Sequence, residues 1–108
     1  MENNIQKAGV KLTPEQLERA ASMLKAVAHP MRLSILQLLE REGKLSVNEI
    51  CDKLSTEQSL TSHHLSNMKL KGILSCEREG QRILYYVKIV ELSNLLRCME
   101  ACSCHFDF

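Results

Sequence analysis

The sequence predicts a mainly α-helical fold with one small β-hairpin, in the order helix, helix, helix, helix, hairpin, helix. Three observations predict it. Two capping boxes fix where helices begin, apolar residues recur at helical spacing along most of the chain, and one stretch around Gly80 switches to the alternating spacing of strands. At 108 residues the chain has the size of one domain, expected over residues 13–104 between a polar, aperiodic arm at residues 1–12 and a tail at residues 105–108. Its 44% apolar and 25% charged residues are ordinary for a globular protein and exclude wholesale disorder.

Each element has a local cause. Thr13-Pro14-Glu15-Gln16 supplies an N-cap, a proline in the first turn and a Gln that reaches back to the cap, so a helix opens here. Leu17, Ala21, Leu24 and Ala28 then form one apolar stripe to about residue 28. Pro30 is tolerated only in a first turn, so His29-Pro30 ends the first helix and opens the second. Leu33, Ile35, Leu36, Leu38 and Leu39 make this second helix apolar on most sides, as a core helix should be, and Gly43 stops it. Ser46-Val47-Asn48-Glu49 is the second capping box, opening a short helix to Leu54 with Val47, Ile50 and Leu54 inward. After a brief link at Ser55 and Thr56, a fourth helix runs from about Gln58 to Lys71, with Leu60, Thr61, His64, Leu65 and Met68 inward. The segments 73–78 and 82–88 are β-branched or aromatic runs around Glu79-Gly80-Gln81, which reads as a hairpin with Gly80 at its tip. Val90, Leu92, Leu95, Leu96 and Met99 return to helical spacing, giving a fifth helix to about Cys102.

Two helices joined by so short a turn, followed at once by a hairpin, have the layout of a winged helix-turn-helix. In that layout the second helix of the pair enters the major groove of DNA and the hairpin reaches the flanking backbone. The face opposite the fourth helix's apolar stripe offers Ser59, Ser62, His63, Ser66 and Asn67, small hydrogen-bonding groups suited to base edges and phosphates. Gln58, Ser59 and Thr61 lie in its first turn, where open backbone N–H groups favour a phosphate. Lys69, Arg78, Gln81 and Arg82 complete the expected DNA contacts, with Lys71 and Lys88 adding charge against Glu57, Glu77 and Glu79. A polar helix face alone is more commonly just a solvated face; the conjunction with the hairpin points to double-stranded DNA. His64, on the apolar stripe, is expected to be an inward, hydrogen-bonded histidine. The formal net charge is only +1, so the anion-binding surface has to be local and affinity has to lean on dimerisation.

From Leu24 to Met99 the chain resembles the ArsR/SmtB family of winged-helix repressors. The resemblance rests on the runs Leu24-Lys25-Ala26-Val27-Ala28-His29-Pro30-Met31-Arg32-Leu33-Ser34-Ile35-Leu36, Leu45-Ser46-Val47-Asn48-Glu49-Ile50 and Gln58-Ser59-Leu60-Thr61-Ser62-His63-His64-Leu65. The hairpin Arg78-Glu79-Gly80-Gln81-Arg82 followed by Tyr85-Tyr86 completes it. It implies a transcriptional repressor, not an enzyme: a homodimer packed through its first and last helices that binds an imperfect palindromic operator and leaves it when an inducer binds. Three sensing patterns of the family are absent. Ser46, Asn48 and Glu49 stand where one class carries a Cys-x-Cys-Asp box, Val90 and Leu92 replace the first ligands of a last-helix zinc site, and Gln37 replaces the core cysteine of a redox-sensing pair.

What remains is cysteine chemistry at the C-terminus. The residues Met1 to Lys7 form no secretory signal and no apolar run is long enough to span a membrane, so a cytoplasmic chain with reduced thiols is expected. Of five cysteines, Cys51 and Cys76 are expected to be buried, while Cys98, Cys102 and Cys104 fall within the last eleven residues. Cys98 and Cys102 are four apart and share a helix face. Three thiolates suit As(III), Cd(II) or Pb(II), and His105 as a fourth ligand suits Zn(II). The cluster is most similar to that of the family's arsenic-sensing members, so the inducer is expected to be a thiophilic ion, and no cofactor is needed for folding. The alternatives are the same dimer with a thiol redox or persulfide switch, and a family member with no metal site whose cysteines pack as small hydrophobes. Two rivals come from other classes. A thiol oxidoreductase requires a Cys-x-x-Cys motif that this sequence lacks, while a protein-interaction module that has lost DNA binding is compatible with the modest basic excess.

Overall fold

A computed structural model describes Gly9 and residues 11–103, and both capping boxes close in it. The Thr13 hydroxyl accepts from the Gln16 N–H at 3.2 Å while the Gln16 side chain accepts from the Thr13 N–H at 2.9 Å. Ser46 and Glu49 repeat the exchange at 3.2 and 2.9 Å. The elements are α1 (Pro14–Val27), α2 (Pro30–Glu42), β1 (Leu45–Ser46), α3 (Val47–Leu54), α4 (Gln58–Leu70), β2 (Leu74–Glu79), β3 (Arg82–Val87) and α5 (Leu92–Ser103). Among the described residues no helix is long and apolar enough to cross a membrane.

The helix α2 is the centre of the domain. Its Ile35, Leu36, Leu38 and Leu39 are buried together with Leu45, Ile50, Leu65, Met68, Ile73, Leu74 and Leu92, so α3, α4, the sheet and the start of α5 all close on it. Each such Leu or Ile contributes about 1.5–3 kcal/mol by leaving water.

The hairpin is joined by a third strand that the sequence reading missed. The sheet order is β1-β3-β2, antiparallel throughout, with Leu45 opposite Tyr85 and Leu74 through Glu79 opposite Val87 through Arg82. The strand β1 has only two residues, and its Ser46 is also the cap of α3, so capping chemistry masks the strand. The register leaves Gly80 and Gln81 as a two-residue turn, and Gly80 takes φ of 66°, the left-handed value such turns require.

The apolar stripe of α1 is exposed, and Val90 falls outside the helix expected to contain it. In α1 only Ala26 and Val27 are buried, while Leu17 and Leu24 of the expected stripe are 53% and 47% exposed. The surface of α2 is already occupied by α3, α4 and the sheet, so α1 is held by its last turn and its apolar stripe faces away from the domain. Val90 lies before α5 and is 77% exposed; Leu92 is the residue that anchors this helix in the core.

Candidate nucleic-acid interface

The turn between α3 and α4 is tight because Ser55 caps α3 in a left-handed conformation, φ 54° and ψ 52°, with its N–H directed to the Cys51 carbonyl. The Thr56 N–H donates to the same carbonyl at 3.1 Å. Thr61 then latches the next helix to the turn. Its hydroxyl donates to the Glu57 carbonyl at 2.8 Å and lies 2.8 Å from the Thr56 hydroxyl. Thr61 is fully buried, so its side chain is a structural latch and not the DNA contact expected of it. At the N-cap of α4, Glu57 makes no side-chain bond to the first turn. The leading N–H groups, with exposed Gln58 and Ser59 around them, therefore present a positive helix end to solvent.

The rest of α4 sorts cleanly. Thr61, His64, Leu65 and Met68 form the buried stripe. Ser59, His63, Ser66 and Lys69 are exposed, and Ser62 and Asn67 are half-buried. Leu60, expected inward, sits at the edge of the stripe and is 46% exposed, which places an apolar group beside the polar face.

A residue that sequence reasoning missed holds this helix in place. Arg32, half-buried on α2, donates from Nε to His64 Nδ1 at 2.9 Å and from Nη1 to Asn67 Oδ1 at 3.0 Å. The same Nη1 donates to the Ala26 carbonyl in the last turn of α1 at 2.8 Å. The Asn67 carbonyl is thus committed to the fold, and its half-burial restricts the DNA contact expected of it to the amide NH2. His29 caps α2 through Nδ1, which accepts from the Met31 N–H at 3.1 Å, and its ring stands 4.6 Å from that of His64. The His63 ring lies 5.7 Å from His64 on the outer side. Burial first, then the charges of Arg32, His29 and His63, push His64 below its ordinary value of 6.5, so this inward histidine is a neutral acceptor. The available signal was an arginine three positions after His29, in the first turn of the core helix.

The hairpin stands beside the start of α4. Arg78, Gln81 and Arg82 are all exposed on it. Arg82 is turned toward α3, with Nη2 3.4 Å from Glu49 Oε1 and 4.0 Å from Glu79 Oε1, so its charge is partly balanced. The Ser46 N–H, which donates to Glu49, holds that carboxyl below its ordinary value, with Arg82 and Lys53 adding to the effect. Gln58 and Gln81 line one cleft of about 400 Å³ together with Asn48, Glu49, Arg82 and Ile83, so the helix start and the hairpin tip face a common space. Lys69 is held above its ordinary value, chiefly by a hydrogen bond with Cys76.

The thiols divide as the sequence implied only in part. Cys51 and Cys76 are half-buried, not buried, and Cys98 and Cys102 are exposed. The last pair shares a face of α5, and hydrogen bonding with Cys98 pushes the Cys102 thiol up. Cys104 and His105 lie outside the described residues. Among the described residues, no three His, Cys, Asp or Glu side chains converge on a common metal position.

This geometry has close counterparts. The model of the bacterial regulatory protein arsR family matches residues 29–75, from the His29 cap through the helix-turn-helix into β2. An uncharacterized HTH-type transcriptional regulator of Methanocaldococcus jannaschii is 35% identical over 86 residues, 80% of this chain and 97% of its own length. The chain belongs to the ArsR family. As an ArsR-family protein it is a DNA-binding transcriptional regulator and not an enzyme, with a winged helix-turn-helix fold. The transcriptional repressor PagR of Bacillus anthracis is 34% identical over 90 residues, 83% of this chain and 90% of its own length. The crystal structure of PagR superposes with a TM-score of 0.75, covering 81% of this chain and 99% of PagR. A homodimeric winged helix-turn-helix DNA-binding domain from Mycobacterium bovis superposes with a TM-score of 0.72 at 28% identity, over 81% of this chain and 80% of the domain. The matched family segment contains Arg32, His64 and Asn67 and stops short of the hairpin tip and the α5 thiols.

Proposed function

We propose that this chain is a homodimeric repressor that reads a palindromic operator with α4, grips the flanking backbone with the hairpin and is released by a thiophilic ion bound at its C-terminal cysteines. The observation that carries the DNA reading is α4 itself. Its uncapped N-terminus, with exposed Ser59, His63 and Ser66 behind it, opens on the cleft that Gln58 shares with Gln81 and Arg82 of the hairpin. Gln58, Ser59, Ser62, His63 and Ser66 are the direct contacts in this reading, with the Asn67 amide at its margin. Arg78, Gln81 and Lys69 serve the backbone, and Arg82 joins them by leaving Glu49 for a phosphate. Leu60 is placed to meet a thymine methyl.

Dimerisation is supported by the apolar stripe of α1, whose Leu17 and Leu24 stand about half exposed among the described residues, and by the homodimeric relative of the same fold. Two copies place two α4 helices about one helical turn of DNA apart, which makes the operator palindromic.

The inducer reading rests on Cys98 and Cys102, two exposed sulfurs on one helix face, with Cys104 two residues beyond. Such donors fit As(III), Cd(II) or Pb(II), and His105 extends the set for Zn(II). An ion acts as inducer only by binding the DNA-free dimer more tightly than the bound one.

A salt-dependent mobility shift on a duplex selected by the protein from a random pool tests the DNA reading, and no salt-sensitive shift overturns it. Titrating As(III), Cd(II), Zn(II) and a polysulfide into that complex under reducing conditions tests the inducer. Release by polysulfide alone assigns the thiols to a redox switch instead.

A further inference from the structure

The guanidinium of Arg32 is the one side chain in the described hydrogen-bond network that touches α4 twice and α1 once. Its three bonds, to His64 Nδ1, Asn67 Oδ1 and the Ala26 carbonyl, span 2.8–3.0 Å. His64 and Asn67 are three apart, so both lie on the same side of α4, and fixing two points on one side fixes the rotation of the helix about its own axis. The positions opposite and between them, His63 and Ser66, are the ones that face outward. A rotation of α4 would move its polar face around the groove, and it is opposed by the Arg32 bonds as well as by the burial of Leu65 and Met68.

We propose that Arg32 is a positioning residue for operator reading, setting the rotation of α4 and tying it to the end of α1, and that it does so only while His64 is uncharged. The reason for the condition is geometric. Nδ1 accepts from Arg32 through its lone pair, so the proton of the neutral ring sits on Nε2. A proton added at Nδ1 removes the acceptor and sets two positive groups 2.9 Å apart. The groups that act on His64 are Arg32 from α2, His29 from the cap of α2 and His63 from α4 itself, and none of them is a carboxylate that would favour the charged ring. The bond from Arg32 to Ala26 also bears on signalling. A ligand that shifts α1 in the dimer pulls on the group that orients α4, with no need for a contact between the sensing thiols and the helix.

This inference rests on the DNA reading above, and the test separates the two. The affinity of the full chain is measured for a duplex it has selected and for a scrambled duplex, at pH 7.5 and 5.5, for wild type, Arg32→Lys and His64→Gln. The readout is the ratio of the two affinities, because acid raises the positive charge of the protein as a whole and strengthens binding to any phosphate backbone. Arg32→Lys keeps the charge and loses the fork, and is expected to lower the ratio about tenfold or more at pH 7.5, the cost of a charged hydrogen bond. Wild type is expected to lose part of its ratio as pH falls from 7.5 toward 5.5, by less than that factor, because the folded His64 ring takes up its proton below the ordinary value of 6.5. His64→Gln keeps an acceptor that does not titrate and is expected to hold its own ratio nearly constant across that range. An Arg32→Lys ratio equal to wild type overturns the proposal, as does a His64→Gln ratio that falls with acid as steeply as wild type. Failure of wild type to select any duplex contradicts the DNA reading instead. Nitrogen shifts of the His64 ring in wild type give a check that needs no variant. An unprotonated Nδ1 at pH 7.5, free and on the duplex, agrees with the proposal, and a doubly protonated ring contradicts it.

Discussion

His63 and His64 are adjacent in the chain and opposite in role. His64 is buried and accepts from Arg32, while His63 is exposed on the face of α4 that opens to solvent. Replacing Ser62 and His63 together by Ala is expected to weaken binding to a selected duplex by about 1–3 kcal/mol per lost base contact while leaving the unfolding midpoint within experimental scatter. Mobility shift and urea unfolding check both halves. His64 makes stability depend on pH with a definite sign. Its folded value lies below the ordinary 6.5, so the unfolded chain takes up the proton first. The stabilisation is complete above about pH 6.5 and is lost as pH falls through the folded value, and His64→Gln is expected to flatten that limb of a pH–stability profile. Glu49 acts in the same direction at lower pH, since its carboxyl is held below 4.5 by the Ser46 N–H.

At the scale of elements, caps and turn chemistry carried most of the information. Thr13, Ser46 and Gly80 each act locally, so their sequence neighbours alone located the start of α1, the start of α3 and the tip of the hairpin. Ser46→Ala is expected to destabilise the domain by about 1 kcal/mol in urea unfolding, since it removes a cap shared by β1 and α3. Features set by contacts between distant elements were not legible in the same way. Leu60 and Leu65 look alike in the chain, and only the packing of α4 on α2 decides that one is exposed and the other buried. Arg32 reads as a surface charge until His64 and Asn67 of a distant helix, and the Ala26 carbonyl of the preceding one, converge on it. The stripe of α1 was legible as apolar, but periodicity tells which face is apolar and not what covers it. Leu24→Asp in that stripe is expected to shift sedimentation toward monomer and to weaken duplex binding about tenfold or more, while leaving the helical circular dichroism of the chain in place.

For the whole molecule, the near-neutral charge becomes meaningful once the basic groups are located. With a formal net charge of +1, and Arg82 and Lys44 paired to Glu49 and Glu77 at 3.4 and 3.0 Å, each half of a dimer has little surplus charge for DNA. In the proposed dimer, affinity then comes from two copies reading two half-sites on one duplex. The proposed ion site is separate from the proposed reading face, since Cys98 and Cys102 lie on α5, outside the matched segment 29–75. Converting Cys98, Cys102 and Cys104 to Ser is expected to leave duplex affinity unchanged and to abolish release by ion. The most direct test of the whole account is the stoichiometry of the reduced protein on a selected duplex by sedimentation, with and without Cd(II) or As(III). The expected result is two chains per palindromic duplex, dissociated by the ion in wild type and not in the triple-Ser variant. A single chain per duplex, or release that survives the loss of all three cysteines, would contradict it.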